Sequence, residues 1–199
     1  MRVLIMAAAV LVSATTVSAQ PAPQGLFEAG QYEQALGALN QRRQVGGLRP
    51  DEQFLAAQVQ LQMHHPAEAG AEFAALAAGP DEAWRLVGES GQAQAAGDAG
   101  RAFELASRAA AAAPDHFASQ YQRGRVAIVR EDWAAAAESF DRAAQINPTF
   151  AYASYYAGFA YSKLRRADLT AEYFERFLKL APKAPERLAV ESIMRTLRG

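Results

Sequence analysis

The sequence predicts an all-α chain of stacked helical hairpins, and three observations carry that reading. Pro80, Pro114, Pro148 and Pro182 stand 34 residues apart, four terms of one progression in a chain with only nine prolines. Small and aromatic positions keep the same step: Gly124 with Gly158, Phe140 with Phe174, Ala102 with Ala136. Between two such prolines lie two amphipathic segments, each too short to bury its apolar face alone, so neighbouring units must stack to share a core.

The chain opens differently. Met1-Arg2 places a positive charge first, Val3 to Val12 is an unbroken apolar run, and Val17-Ser18-Ala19 puts small residues at a cleavage position. This is the pattern of a secretory signal over 1–19, cut after Ala19. Its apolar run is about half of the roughly 20 residues a spanning helix needs. The expected product is periplasmic or secreted, with no stable membrane insertion after cleavage. It has no cysteine, so disulfides and thiolate metal sites are excluded and stability must come from helix packing.

Residues 20–49 read as a partial, degenerate unit around "AGQYEQALGAL", Ala29 to Leu39. A second unit over 50–82 carries Ala57, Ala69, Phe73 and Leu76, with Pro80 one residue early. The unit over 83–116 has Ser90, Ala102, Ala106, Ala109 and Pro114; Ala106 replaces an aromatic, and Phe103 is expected to compensate from an adjacent turn. The best-preserved unit, 117–150, has Gly124, Ala136, Phe140, Ala143 and Pro148. Its first helix is expected over Ala118–Arg130, its turn at Glu131-Asp132 and its second helix over Trp133–Ile146, apolar at 133, 136, 137, 140, 143 and 144. Pro148 stops that helix, because proline lacks the N–H and restricts the residue before it. The unit over 151–184 has Gly158, Thr170, Phe174, Phe177 and Pro182, where bulky Phe177 departs from the small residue of the other units. After Pro185, "ERLAVESIMRTLRG" groups Leu188, Val190, Ile193, Met194 and Leu197, and 185–199 is expected to be a helix that caps the stack.

At these positions the chain resembles the tetratricopeptide repeat family, whose unit of about 34 residues has the same small, alanine, aromatic and proline pattern. The resemblance spans nearly the whole mature chain. It implies a right-handed superhelix of about four repeats plus a partial first one, with a concave groove lined by the first helix of each unit. It also implies a non-catalytic adaptor or scaffold that binds a protein or peptide; with the signal segment, the expected partner belongs to an envelope complex. Carried onto this sequence, the groove positions of the family fall on Trp84, on Tyr121, Arg125 and Ile128, and on Tyr152, Tyr155, Phe159 and Lys163. Tyrosine, tryptophan and arginine make the largest contributions at such interfaces. The carboxylate clamp of chaperone-binding members is not supported, because its positions hold Tyr121, Gln122 and Arg125, then Tyr155, Tyr156 and Phe159. An apolar or aromatic-anchored partner is expected instead.

The formal net charge of -1 argues against a nucleic-acid partner, which calls for a basic excess. The charge is uneven: residues 20–116 are predominantly acidic and residues from 151 onward predominantly basic. Head-to-tail homo-oligomerisation through those ends is a second reading. No phosphate-cradling loop is present, and "GESG", Gly88 to Gly91, lacks the spacing of a nucleophile elbow. His64-His65 with Glu68 could supply part of a metal site, but the pair falls where the turn between helices belongs, and the only other histidine is His116. A metal-dependent enzyme is therefore the weakest alternative, and no cofactor is expected.

Overall fold

The computed structural model describes residues 22–198; the signal segment and its cleavage position lie outside the described residues. Within them every regular element is a helix. In chain order these are α1 (Pro23–Glu28), α2 (Tyr32–Gly46), α3 (Pro50–Gln62), α4 (Pro66–Ala77), α5 (Glu82–Ala95), α6 (Ala99–Ala112), α7 (Phe117–Val129), α8 (Trp133–Ile146), α9 (Ala151–Lys163), α10 (Ala167–Leu180) and α11 (Arg187–Arg198). Odd-numbered helices from α1 to α9 open a hairpin and the next even-numbered helix closes it; α11 stands alone at the end.

One turn geometry recurs in all five hairpins. Gly30, His64, Gly97, Glu131 and Arg165 adopt positive φ between 57° and 81°. In the turn after α7, the Glu131 N–H donates to the Ile128 carbonyl and the Asp132 N–H to the Ala127 carbonyl, each at 2.9 Å. The same pair of bonds ends α1, α3, α5 and α9. This is the Schellman motif, which satisfies the last carbonyls of a helix by one left-handed residue. The following residue then starts the second helix. Asp98 and Asp132 do so as N-caps, accepting from the N–H of Arg101 and Ala135, and Asp81 caps α5 in the same way. Arg166 takes the aspartate's place before α10, which has no side-chain cap.

Hairpin helices meet where a small residue faces a ring. A methyl group on Gly124 would lie 2.7 Å from the Phe140 ring, and one on Gly158 would lie 2.6 Å from Phe174. In the third hairpin Ser90 takes the small position, its buried hydroxyl donating to the Ala102 carbonyl at 2.8 Å. Phe103 does not occupy the place of the missing aromatic at Ala106; it is half-buried with the Arg130 guanidinium 4.4 Å above its ring. Phe177 is fully buried against Tyr152 and Tyr155. Its bulk fills the end of the stack. Helix α11 closes that end with Val190 and Met194, whereas Leu188, expected on the same face, is 76% exposed, because it projects from the opposite side of the helix.

The first hairpin departs from regular stacking. Helices α4 and α5 pack closely, but α2 meets α3 at only a few positions, and residues 40–47 are all exposed. Instead α1 lies across the superhelix on the start of α9. Its Phe27 ring is 5.0 Å from Tyr152 and 6.1 Å from Phe150. The Gln24 amide donates to the Thr149 carbonyl at 3.3 Å, and the Ala151 N–H donates to the Glu28 carboxylate at 2.8 Å. The turn at Gly30 rests on Pro185. The superhelix therefore closes on itself.

Candidate protein-interaction groove

The inward faces of α3, α7 and α9 converge on one narrow axis. Phe54 of α3 meets Tyr121 of α7 edge-on, with ring centroids 5.9 Å apart. One turn further, the Arg125 guanidinium donates to the Gln58 side-chain oxygen at 3.1 Å and lies 4.9 Å above the Tyr156 ring. No described carboxylate pairs with Arg125; an amide and an aromatic face hold the cation. Burial pushes the Tyr121 and Tyr152 hydroxyls well above the usual phenol range, since the phenolate would lose its hydration. At neutral pH both are uncharged. The Tyr152 hydroxyl donates to Glu186, just before α11, at 2.9 Å.

At the end of the axis formed by the starts of the first helices is a cavity of about 240 Å³. Phe54, Trp84, Phe117 and Phe150 supply its rings, and Ala22, Pro23 and Gln24 form part of its wall. These rings gather because each sits at or near the start of α3, α5, α7 or α9, and stacking brings those starts together. Arg42 and Arg49 lie at the rim, paired with Glu52 and Asp51. The rim is charged but balanced. Behind it, Trp84 meets the His116 imidazole edge-on at 4.4 Å, and His116 Nδ1 is 2.7 Å from the Ser119 hydroxyl. Burial holds the His116 pKa below the ordinary histidine value.

Among solved structures, a thermophilic TPR protein of Thermus thermophilus superposes with a TM-score of 0.61 over 88% of this chain and 95% of its own, at 19% sequence identity. YrrB, a TPR protein with an unusual peptide-binding site, superposes with a TM-score of 0.53 over 85% of this chain and 88% of its own, at 18% identity. The chain has the tetratricopeptide-repeat fold. No family model matches the sequence, and no curated protein matches it.

Within this tetratricopeptide-repeat solenoid the eight groove positions fall into four groups. Tyr121 and Tyr152 are each 0% exposed, which corrects the expectation that they face a ligand: the tight coil makes their rings meet across the axis, and α1 covers α9. Arg125, Ile128 and Tyr155 are half-buried; Tyr155 lies 5.1 Å from both Tyr156 and Phe177, and burial pushes its hydroxyl up to about 12. Phe159 and Lys163 form a separate cluster at the far ends of the helices, with the Lys163 ammonium 5.4 Å from the Trp133 ring and 5.3 Å from the Phe159 ring. Only Trp84 lines the cavity. Phe117 and Phe150 escaped the sequence reading because they stand at the very start of α7 and α9, before the family's groove positions; Phe54 does lie at such a position, the fifth of the weakly patterned 50–82 unit. His64 and His65 are exposed on the turn between α3 and α4. Among the described residues no group of three or more His, Cys, Asp or Glu side chains could hold a metal ion, and no helix is long and apolar enough to cross a membrane.

Proposed function

We propose that the protein is a non-catalytic interaction scaffold of the bacterial envelope, which holds a partner segment by seating one large apolar side chain in the cavity walled by Phe54, Trp84, Phe117 and Phe150. The observation that carries this reading is the cavity itself: about 240 Å³ lined by four rings, with the half-buried Trp84 in its wall. Concave, ring-lined sites of this kind recognise apolar anchors, and the rim arginines with their carboxylates orient the polar backbone around them. The likeness to YrrB, described as having an unusual peptide-binding site, supports a peptide as the class of ligand. The signal-like segment over 1–19 supports export, after which the mature chain begins at Gln20.

The test compares proteins captured from envelope extract by the wild type, by Trp84→Ala and by Lys163→Ala. A partner retained by wild type and Lys163→Ala but lost with Trp84→Ala, at unchanged helicity, is the expected result. Equal capture by all three removes the cavity from the account.

A further inference from the structure

Helix α1 occupies the place on α9 that the concave surface would otherwise offer to a ligand. Leu26 and Phe27 are buried there, with Phe27 set among Tyr32, Phe150 and Tyr152. Glu28 accepts the Ala151 N–H, one of the free donors at the N-terminus of α9. This is how an external peptide would bind: an apolar plug beside a carboxylate on a helix N-terminus. Residues 22–24 continue into the wall of the cavity described above.

The hairpin is attached to the rest of the solenoid through a few apolar side chains, Leu26 and Phe27 of α1 and Ala35 and Leu39 of α2. Helix α1 has six residues, too few to be stable alone. Helix α2 meets α3 at few positions, and the two are joined through Gly46-Gly47, with Gly47 at φ +80° and nothing within 4 Å of the place of either Cβ. Burial of the Glu28 carboxylate opposes the hydrogen bonds it accepts and raises its pKa. The contacts that hold the hairpin down are those of α1 with α9 and with the 185 turn, the buried Ala35 and Leu39 of α2, and the bridges from Arg42 to Glu52 and from Arg43 to Glu72.

We propose that the α1–α2 hairpin is a hinged intrinsic ligand: α1 covers the concave surface at Phe150, Ala151 and Tyr152, and a partner segment of like chemistry, an aromatic residue followed by a carboxylate, binds there by displacing it. The proposal rests on the reading of this end of the axis as a binding site, and adds the class of segment it takes and the element that regulates it. Displacement also removes one wall of the cavity, so the two sites open together.

The test uses the full chain and a labelled synthetic peptide with the sequence of residues 22–31, APQGLFEAGQ. The peptide is expected to bind the Leu26→Ala, Phe27→Ala double variant about ten-fold or more tighter than wild type, and a peptide with alanine in place of Phe27 to bind neither. In the wild type, hydrogen exchange of α1 amides is expected to be about ten-fold or more faster than that of α7 and α9, through local opening. Equal peptide affinity for both proteins, or α1 exchange only at the rate of α7 and α9, overturns the proposal and makes α1 a fixed part of the core. If the double variant does not fold, exchange in the wild type decides. Neither readout needs the envelope partner, so loss of Trp84-dependent capture and loss of this hinge are separate outcomes.

Discussion

Tyr121 separates a binding surface from a core. A groove tyrosine changed to alanine costs affinity and little stability; a tyrosine that is fully buried between Phe54, Phe140 and Phe150 should cost about 3–5 kcal/mol of stability, as large aromatic truncations do. Thermal unfolding of Tyr121→Ala and Lys163→Ala checks this: the first is expected to melt far below wild type and the second, exposed on the surface, within a degree or two of it. The turn residues give a prediction of opposite sign. Glu131 holds a left-handed conformation at φ 57°, so Glu131→Gly should stabilise by about 0.5–1 kcal/mol in urea unfolding, the relief of backbone strain exceeding glycine's entropy cost. His116 adds a pH dependence. Its folded pKa lies below the unfolded value of 6.5, so the unfolded chain binds the extra proton and stability falls as pH drops through about 6.5. A His116→Gln variant should lose that slope. The pattern of small and aromatic residues was legible in the sequence because helix contacts depend on side-chain size at fixed spacing. The left-handed turns were not, because His64, Glu131 and Arg165 have nothing of glycine about them and the conformation is imposed by the hydrogen bonds of the turn.

Among the elements, the two helices of the 117–150 unit were readable to within a residue; the helix expected over Ala118–Arg130 is Phe117–Val129 and the next is Trp133–Ile146 as expected. The second helix is there an alanine-rich support whose small side chains let α7 and α9 approach. What the sequence could not show is where α1 lies, since its contacts with Phe150 and Tyr152 span more than a hundred residues and no local periodicity encodes them. The burial of Leu26 and Phe27 favours closure, and the entropy of ordering a short segment opposes it. Glu28 sets the pH dependence of that balance. Its carboxylate faces the Gln24 amide on its own helix and the Ala151 N–H of α9, and its folded pKa is raised above 4.5. The closed form therefore binds the extra proton, and closure weakens as pH rises from about 4.5 through the folded pKa. The protection of α1 amides, taken relative to their intrinsic exchange rate at each pH, should be greater at the acid end of that window, and Glu28→Gln, which keeps an acceptor for the Ala151 N–H without the charge, should remove the trend.

For the whole molecule, the tetratricopeptide-repeat fold came from the 34-residue spacing, but the use of its concave face did not. Of the family's groove positions, Trp84 lines the cavity, whereas Tyr121 and Tyr152 are fully buried, because their rings meet across the axis of the stack. Val45 stands 91% exposed near the end of α2, where the chain leads into Gly46-Gly47. Closure of the concave surface by the chain's own first hairpin can be measured directly. The chain has no cysteine, so Gly37→Cys on the exposed face of α2 and Lys183→Cys beyond α10 can carry two unique spin labels. Electron–electron double resonance on the free protein is predicted to give one short, narrow distance distribution, with a second, longer population growing as the 22–31 peptide is added; a broad, long distribution in the free protein would contradict closure.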